Sequence, residues 1–148
     1  MKTKPFLLCL VLLLWVPAVS HAGDPRELVA MPDEVRQRLL DGMLNHMTVF
    51  NSILSLIANE RFEQAARLAE EHLPIGPLDS QAEENAAAYF PPAMQDARES
   101  LREAGKRLAV AVRKANTEHS YFRMRKVTAT IGEVQAACNM CHAHYRIR

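Results

Sequence analysis

The sequence predicts an all-α protein, a single antiparallel four-helix bundle whose helices run up, down, up and down. Four stretches carry apolar residues three and four positions apart, the spacing of one helix face. The prolines lie between these stretches, and 148 residues, 49% hydrophobic and 24% charged, suit one folded core. Amphipathic helices bury such faces most simply against one another, inclined at about 20°.

The first 22 residues are predicted to be a secretory signal peptide. Lys2 and Lys4 precede an apolar run over residues 6–16, and Ser-His-Ala at 20–22 forms a small-residue cleavage site. A run of about 11 apolar residues is shorter than the ~20 that span a bilayer. Cleavage after Ala22 is expected to leave one domain, residues 23–148, in the periplasm and without a membrane span.

The composition of the expected mature domain excludes several classes of function. The whole chain has 18 basic and 17 acidic residues, and the leader holds two of the basic ones, so the domain is nearly neutral. A protein that binds nucleic acid through a basic face is therefore not expected. Three cysteines are too few for a disulfide-built scaffold. Gly-rich phosphate loops and the common hydrolase motifs are absent from the sequence, so no enzyme is predicted.

The first helix is predicted to begin at Pro32-Asp33-Glu34. Proline suits the first turn, where its missing N–H costs nothing, and the two acids suit the positive end of the helix dipole. About 25 residues follow with a helical period before a pause near Asn59. The predicted inward stripe is Leu40, Met43, Met47, Phe50, Leu54 and Ile57.

The second helix is predicted from Phe62 to Leu73, where Pro74 stops it. Residues 75–80 contain glycine and proline and are predicted to be a loop. A short helix over 81–88 follows, and Pro91-Pro92 ends that segment.

The third and fourth helices complete the predicted bundle. The third stripe is interrupted by the polar residues 116–120, and the fourth is predicted to continue to the C-terminus. The third stripe consists of Met94, Ala97, Leu101, Ala104, Leu108 and Ala111. The fourth consists of Val127, Ile131, Val134, Cys138, Cys141 and Tyr145.

The fourth helix carries a Cys-x-x-Cys-His sequence, the attachment signature of c-type haem. Cys138 and Cys141 lie one helical turn apart on one face, as two thioether bonds to one porphyrin require. His142 then supplies an imidazole, the usual proximal ligand of haem iron. The sequence therefore predicts one covalently bound haem c.

Other uses of the two cysteines fit the sequence less well. A thioredoxin-like pair needs a βαβ context and a helix N-terminus, and zinc needs four ligands at workable spacing. The other histidines of the mature domain are His46, His72, His119 and His144. Zinc binding, a redox thiol pair and two plain buried cysteines remain as alternatives.

The residues Cys138-Asn139-Met140-Cys141-His142-Ala143-His144-Tyr145-Arg146 follow a Cys-x-x-Cys-His-x-x-Tyr/Phe-Arg pattern close to the C-terminus. With four helices and an export signal, the chain resembles the cytochrome c′ and cytochrome c-556 family. That family consists of four-helix bundles. A weaker match places Arg36 and, four residues later, Leu40 at the position that faces the open side of the iron. The segment between Pro74 and Pro92 has no counterpart in the resemblance.

The resemblance implies that the function depends on the residue that faces the iron on the side opposite His142. A leucine there implies five-coordinate iron that binds nitric oxide or carbon monoxide, and a methionine implies six-coordinate iron suited to electron transfer. The first helix offers Leu40, with Met43 or Met47 as a thioether ligand and His46, on the flank of the stripe, as a second imidazole ligand. One-electron transfer is ranked first, and a gas-binding protein is the alternative.

Further candidates concern the edge of the cofactor and the partners. Arg36 and Arg146 are candidate partners of the haem propionates, because guanidinium groups bind carboxylates in bidentate fashion. The alternative for each is a solvated surface arginine. Arg123, Arg125 and Lys126 form a basic cluster that either docks an acidic redox partner or is simply solvated.

The resemblance also suggests a homodimer formed through the first two helices. Four apolar residues beside the main stripe of the first helix are candidates for that contact, or else widen the face that meets the core. They are Leu39, Leu44, Val49 and Ile53.

Overall fold

A computed structural model describes residues 23–73 and 80–148 of the chain. The predicted signal peptide and nearly all of the predicted loop at 75–80 lie outside the described residues. The described chain is mostly helical, which confirms the all-α prediction. Its elements are β1 (Glu27–Leu28), α1 (Asp33–Ala58), α2 (Phe62–His72), α3 (Ser80–Ala87), α4 (Pro92–Thr117), α5 (Tyr121–His144) and β2 (Tyr145–Arg146).

Helix α1 begins and ends where the sequence predicts. Pro32 precedes its first turn, and Asp33 and Glu34 occupy that turn. At its other end the backbone N–H of Asn59 donates to the carbonyl oxygens of the last turn. Glu60 then adopts a positive φ of 58°, which turns the chain out of the helix and towards α2.

Helices α4 and α5 are joined by residues 118–120. Proline at the start of α4 fits a position whose N–H has no helical partner. At the start of α5 the Ser120 hydroxyl accepts a hydrogen bond of 3.2 Å from the Arg123 N–H, a typical N-terminal cap. Helix α4 and the short α3 match their predicted positions, and α5 matches its own except at its C-terminal end.

Two clusters of buried residues form the interior. The main core takes residues from α1, α2, α4 and α5 and is rich in alanine. It contains Ile53, Ile57, Phe62, Ala65, Ala66, Ala69, Leu73, Ala104, Leu108, Ala109, Val112, Ala115, Val127 and Val134. The smaller core consists of Val29, Leu39, Ala86, Phe90 and Met94, with Met43, Cys141 and Tyr145 packed against it.

The helices are not equally close to one another. Among the described residues, the closest backbone approaches of α1 are to α2 and α3, and those of α5 are to α4 and β2. Helix α2 also packs closely against α4. Consecutive helices of the series α1, α2, α4 and α5 are therefore neighbours, and α1 and α5 contribute side chains to the same two cores.

The inward face of α1 differs from the predicted stripe by about one residue. Leu39, Gly42, Ile53 and Ile57 are its buried residues, whereas Met47 is 58% exposed. The prediction that Met47 points inward is therefore wrong. Ile57 is buried as predicted, and Met43 and Phe50 pack against the cores. The period was therefore read correctly, and the buried face is displaced by one residue at Leu39, Gly42 and Ile53.

Most residues of the predicted dimer contact do not form a free surface, because they pack in the cores of the domain. Leu39 and Ile53 are buried, and Val49 packs against the main core. Leu44 is 70% exposed. The alternative, in which these residues widen the core-facing side of α1, holds for Leu39, Val49 and Ile53.

The end of the chain is not helical, contrary to the prediction that α5 continues to the C-terminus. Tyr145 has extended backbone angles, and β2 pairs in parallel with β1, Glu27 opposite Tyr145. The Val29 N–H donates to the Arg146 carbonyl at 2.9 Å. Backbone pairing with the start of the domain thus replaces another helical turn.

The exposed faces of the helices carry ion pairs both within and between helices. Glu70 of α2 pairs with Arg113 of α4, and Arg107 of α4 pairs with Glu133 of α5 at 2.6 Å. Exposed pairs of this kind stabilise a fold only modestly. Within residues 23–73 and 80–148, no helix is long and apolar enough to cross a membrane.

Replacing Leu108 with alanine should test the main core. Leu108 is fully buried in it, so truncation should lower the free energy of unfolding by about 2–5 kcal/mol in urea denaturation. Leu44→Ala is the matched control, because Leu44 is largely exposed, and should change stability by less than about 0.5 kcal/mol. Equal losses in the two variants would contradict this assignment of the core.

Candidate functional site

The two cysteines of the predicted motif lie near the end of α5. Cys138 and Cys141 are free, half-buried thiols. Their spacing puts them one turn apart on the helix face that also carries the buried residues Val134 and Ala137. Helix α5 therefore brings both sulfurs to the boundary between the interior and the surface.

The surroundings of the two thiols suppress their ionisation. Burial raises the pKa of Cys138, and burial together with the neighbouring Cys138 raises the pKa of Cys141. Both lie towards the C-terminal end of α5, where the helix dipole also disfavours a negative charge. A redox-active pair needs a lowered thiol pKa, so the thioredoxin-like alternative has no support from this environment.

His142 follows Cys141 in the last turn of α5, and its side chain is exposed. Consecutive helical residues are about 100° apart around the axis, so the imidazole lies beside the face that carries the sulfurs. The backbone carbonyl of His142 accepts a hydrogen bond of 3.3 Å from Arg26 Nη1. This contact ties the motif to the start of the domain.

A zinc centre requires more ligands than the motif supplies. Within the part of the chain that the structure describes, histidine, cysteine, aspartate and glutamate side chains form no group of three or more that is able to hold a metal ion. The zinc alternative therefore lacks a ligand set among these residues.

The residues around the motif fit a covalently attached haem. The two sulfurs are free and share one helix face, an imidazole follows directly, and Cys141 packs against the apolar smaller core. Burial of the thiols is the independent structural observation, because a porphyrin needs an apolar environment next to its points of attachment.

The four distal candidates on α1 occupy different environments. Met43 is half-buried and packs against the smaller core, which Cys141 also contacts. Leu40 is half-buried, and Met47 is mostly exposed. His46, predicted on the flank, is half-buried with its Nε2 atom shielded from solvent, and it follows the buried Gly42 by one turn. The structure thus brings Met43 to the same core as the motif.

Both arginines predicted to contact propionates have partners within the protein. Arg36 pairs with Asp33 one turn earlier, at 2.5 Å. Arg146 lies in β2, and its Nε donates to the Arg26 carbonyl at 3.2 Å. Arg146 therefore joins the two ends of the domain beside the motif.

Sequence reasoning missed the N-terminal strap, residues 24–29. Within the strap, Arg26 pairs with Asp24 at 2.6 Å, and it also donates to the His142 carbonyl. The Val29 N–H donates to the carbonyl of Arg146, so the strap holds the residues that follow the motif. A two-residue strand is too short to show a period in the sequence, and the Asp-x-Arg spacing was the only local signal.

Comparison with known proteins yields no relative of this chain. No protein-family model, curated protein or solved structure matches it. The candidate site is therefore defined by its own residues and geometry.

Removing the Arg26 guanidinium should raise the pKa of Asp24, because the side chain of Arg26 is the largest cause of its lowering. Hydrogen bonds from Arg26 lower the pKa of Asp24 to about 2. Because the folded-state pKa is lowered, this link stabilises the strap above the unfolded pKa of about 4 and is lost as the pH falls towards 2. Carboxyl NMR titration of Arg26→Gln should show the Asp24 pKa rising towards 4.

The control for this titration is Arg38→Gln, which removes an arginine that pairs with Glu34 instead. In that variant the pKa of Asp24 should stay at about 2. An unchanged Asp24 pKa in Arg26→Gln would show that the strap does not hold these two side chains together.

Proposed function

We propose that the protein is an exported mono-haem c-type cytochrome that serves in one-electron transfer. Cys138 and Cys141 would hold the haem through thioether bonds, and His142 would be the proximal iron ligand. The observation that carries this proposal is a pair of free, half-buried thiols one turn apart near the end of α5, followed directly by an exposed imidazole. The raised pKa values of these half-buried thiols argue against redox chemistry. The described residues also offer no ligand set for zinc.

The proposal includes an up-down-up-down bundle of α1, α2, α4 and α5. The short connections at 59–61 and 118–120 favour antiparallel neighbours. The close approaches of α1 to α2, of α2 to α4 and of α4 to α5 support three of the four neighbouring pairs of such a bundle, with α3 in the longer connection between α2 and α4. Side chains from all four helices in the main core support a closed arrangement.

Different residues of the chain would have different roles at the proposed haem site. A bound iron porphyrin would supply the one-electron couple, which its axial ligands tune. Cys138 and Cys141 would fix its position on α5, and the smaller core would shield one edge from water. The strap would hold the backbone of His142 through Arg26, which limits movement of the proximal ligand.

We further propose Met43 as the sixth ligand. Met43 packs against the same smaller core as Cys141, whereas Met47 is mostly exposed. A thioether ligand completes the coordination shell and favours electron transfer over gas binding. With Leu40 facing the iron instead, the shell would remain open to nitric oxide or carbon monoxide.

The mass of the matured protein tests haem attachment. After export from cells that carry out cytochrome c maturation, the chain should weigh one haem more than the polypeptide and give a pyridine haemochrome spectrum. Cys138→Ser with Cys141→Ser should abolish the covalent haem, while Met140→Ala, an exposed residue between them, should retain it. A wild-type mass equal to the bare polypeptide would refute the proposal.

Substitution of the two methionines tests the sixth ligand. The wild-type protein should be low-spin, and Met43→Ala should become high-spin and bind carbon monoxide when reduced. Met47→Ala should leave the absorption spectrum unchanged, because Met47 is mostly exposed. A high-spin wild-type protein that already binds carbon monoxide would instead favour the gas-binding function.

A further inference from the structure

A groove of about 370 Å³ runs between α4 and α5, well away from the cysteine motif. Val110 and Ala111 contribute apolar surface to it, and the lining contains no acidic residue. Five cationic side chains also line it: Lys106, Arg107, Lys114, Arg123 and Lys126. Two of them belong to the basic cluster that the sequence indicates, and the structure adds three from α4.

The distribution of lysine in the chain singles out this groove. Residues 23–148 contain three lysines, and all of them line the groove. Arginines, in contrast, occur from Arg26 to Arg148, on or beside most of the elements. A nearly neutral domain thus gathers positive charge along one depression, and charge of one sign in a concave site attracts an oppositely charged partner.

The present partners of these cations are weakly held and exchangeable. Arg107 pairs with Glu133, Arg123 with Glu118 and Lys106 with Glu103, all at 2.6–2.7 Å and with side chains that are between about one third and one half exposed. Such pairs contribute little energy in water.

Lys114 and Lys126 form no ion pair with any residue in 23–73 or 80–148. Lys126 instead places its Nζ 5.7 Å from the centre of the Phe122 ring. These two lysines are therefore the charges most available to a partner.

Apolar surface accompanies the charge. Val110 lines the groove and is about half exposed, and Phe122, which contacts the lining residues Arg123 and Lys126, is 56% exposed. Arg123 also lies over the Phe122 ring, at 5.8 Å from its centre. An occupant that satisfies both features has carboxylates for the cations and aliphatic side chains for the apolar surface.

We propose that the groove between α4 and α5 docks an acidic, partly aliphatic segment of a partner protein. Its carboxylates lie against Lys114 and Lys126, and an aliphatic side chain lies on Val110. The concave shape fits a protruding chain segment better than the flat surface of a bilayer. Lys126 lies about 18 Å along α5 from Cys138, so the docked segment leaves the cysteine motif uncovered.

The first experiment measures binding of a short synthetic peptide of alternating glutamate and leucine to the intact mature protein by fluorescence anisotropy. Binding should weaken as salt is raised, and Lys114→Glu with Lys126→Glu should weaken it at least about tenfold. The matched control is Arg38→Glu with Arg61→Glu, which changes the net charge equally at exposed positions on and beside α1. The control should bind within about twofold of the wild type.

Chemical modification of the folded wild-type protein provides a second measurement that needs no substitution. Acetylation of amines removes the charge of the three groove lysines and of the amino terminus, whereas reductive dimethylation modifies the same groups and keeps their charge. Peptide affinity should fall at least about tenfold after acetylation and persist after dimethylation.

Three results would overturn the proposal: no peptide binding at low salt, an equal loss in the control variant, or equal affinity after acetylation. Vesicles with anionic headgroups distinguish a membrane from a protein partner. Vesicle binding that depends on Lys114 and Lys126, without peptide binding, would replace the proposed partner with a lipid surface. These outcomes concern peptide and lipid binding only, so they are separate from the test of haem attachment.

Discussion

The rest of the structure depends on how closely the helices pack, and the small side chains of the main core set that distance. Helix α2 buries Ala65, Ala66 and Ala69, and α4 buries Ala104, Ala109 and Ala115. Alanine lets helix backbones approach more closely than leucine does, and α2, α4 and α5 are the helices that pack most closely. Larger residues such as Leu108 and Val134 fill the remaining space between them.

The smaller core differs from the main core in its composition and in the residues that it brings together. It consists mainly of larger residues, including Leu39, Phe90 and Met94, and takes them from segments far apart in the sequence. Cys141 and Met43 both rest on it, so it connects the motif on α5 with the candidate ligand on α1. Loss of packing there would disturb Cys141 and Met43 at once.

Helices were predictable here because each repeats an apolar period over many residues and is bounded by proline or polar segments. Pro32 marked the start of α1 correctly, Pro91-Pro92 correctly marked the end of the segment that contains α3, and Cys138 and Cys141 were placed on one helix face. The limits of the buried face of α1 were not predictable, because apolar residues such as Leu40, Leu44 and Met47 flank that face. Only contacts with the other helices decide which of these face inward.

The strap and β2 were not predictable for a related reason. Two residues of strand have no period, and their pairing depends on two segments that meet only in the folded chain. The proposed docking groove was predictable only in part for the same reason. Arg123 and Lys126 are close in the sequence, whereas Lys106 and Lys114 join them only where α4 packs against α5.

The hydrogen bonds between the strap and the tail have a consequence for the order of folding. Arg26 and His142 are 116 residues apart, and Arg26 and Arg146 are 120 apart. Closing so long a loop costs more entropy than forming a local helical contact, so we expect these hydrogen bonds to form after α4 and α5 have packed together. Until they form, Cys138 and Cys141 would lie on a C-terminal segment that these hydrogen bonds do not yet join to the start of the domain, and both sulfurs would be more accessible than in the folded protein.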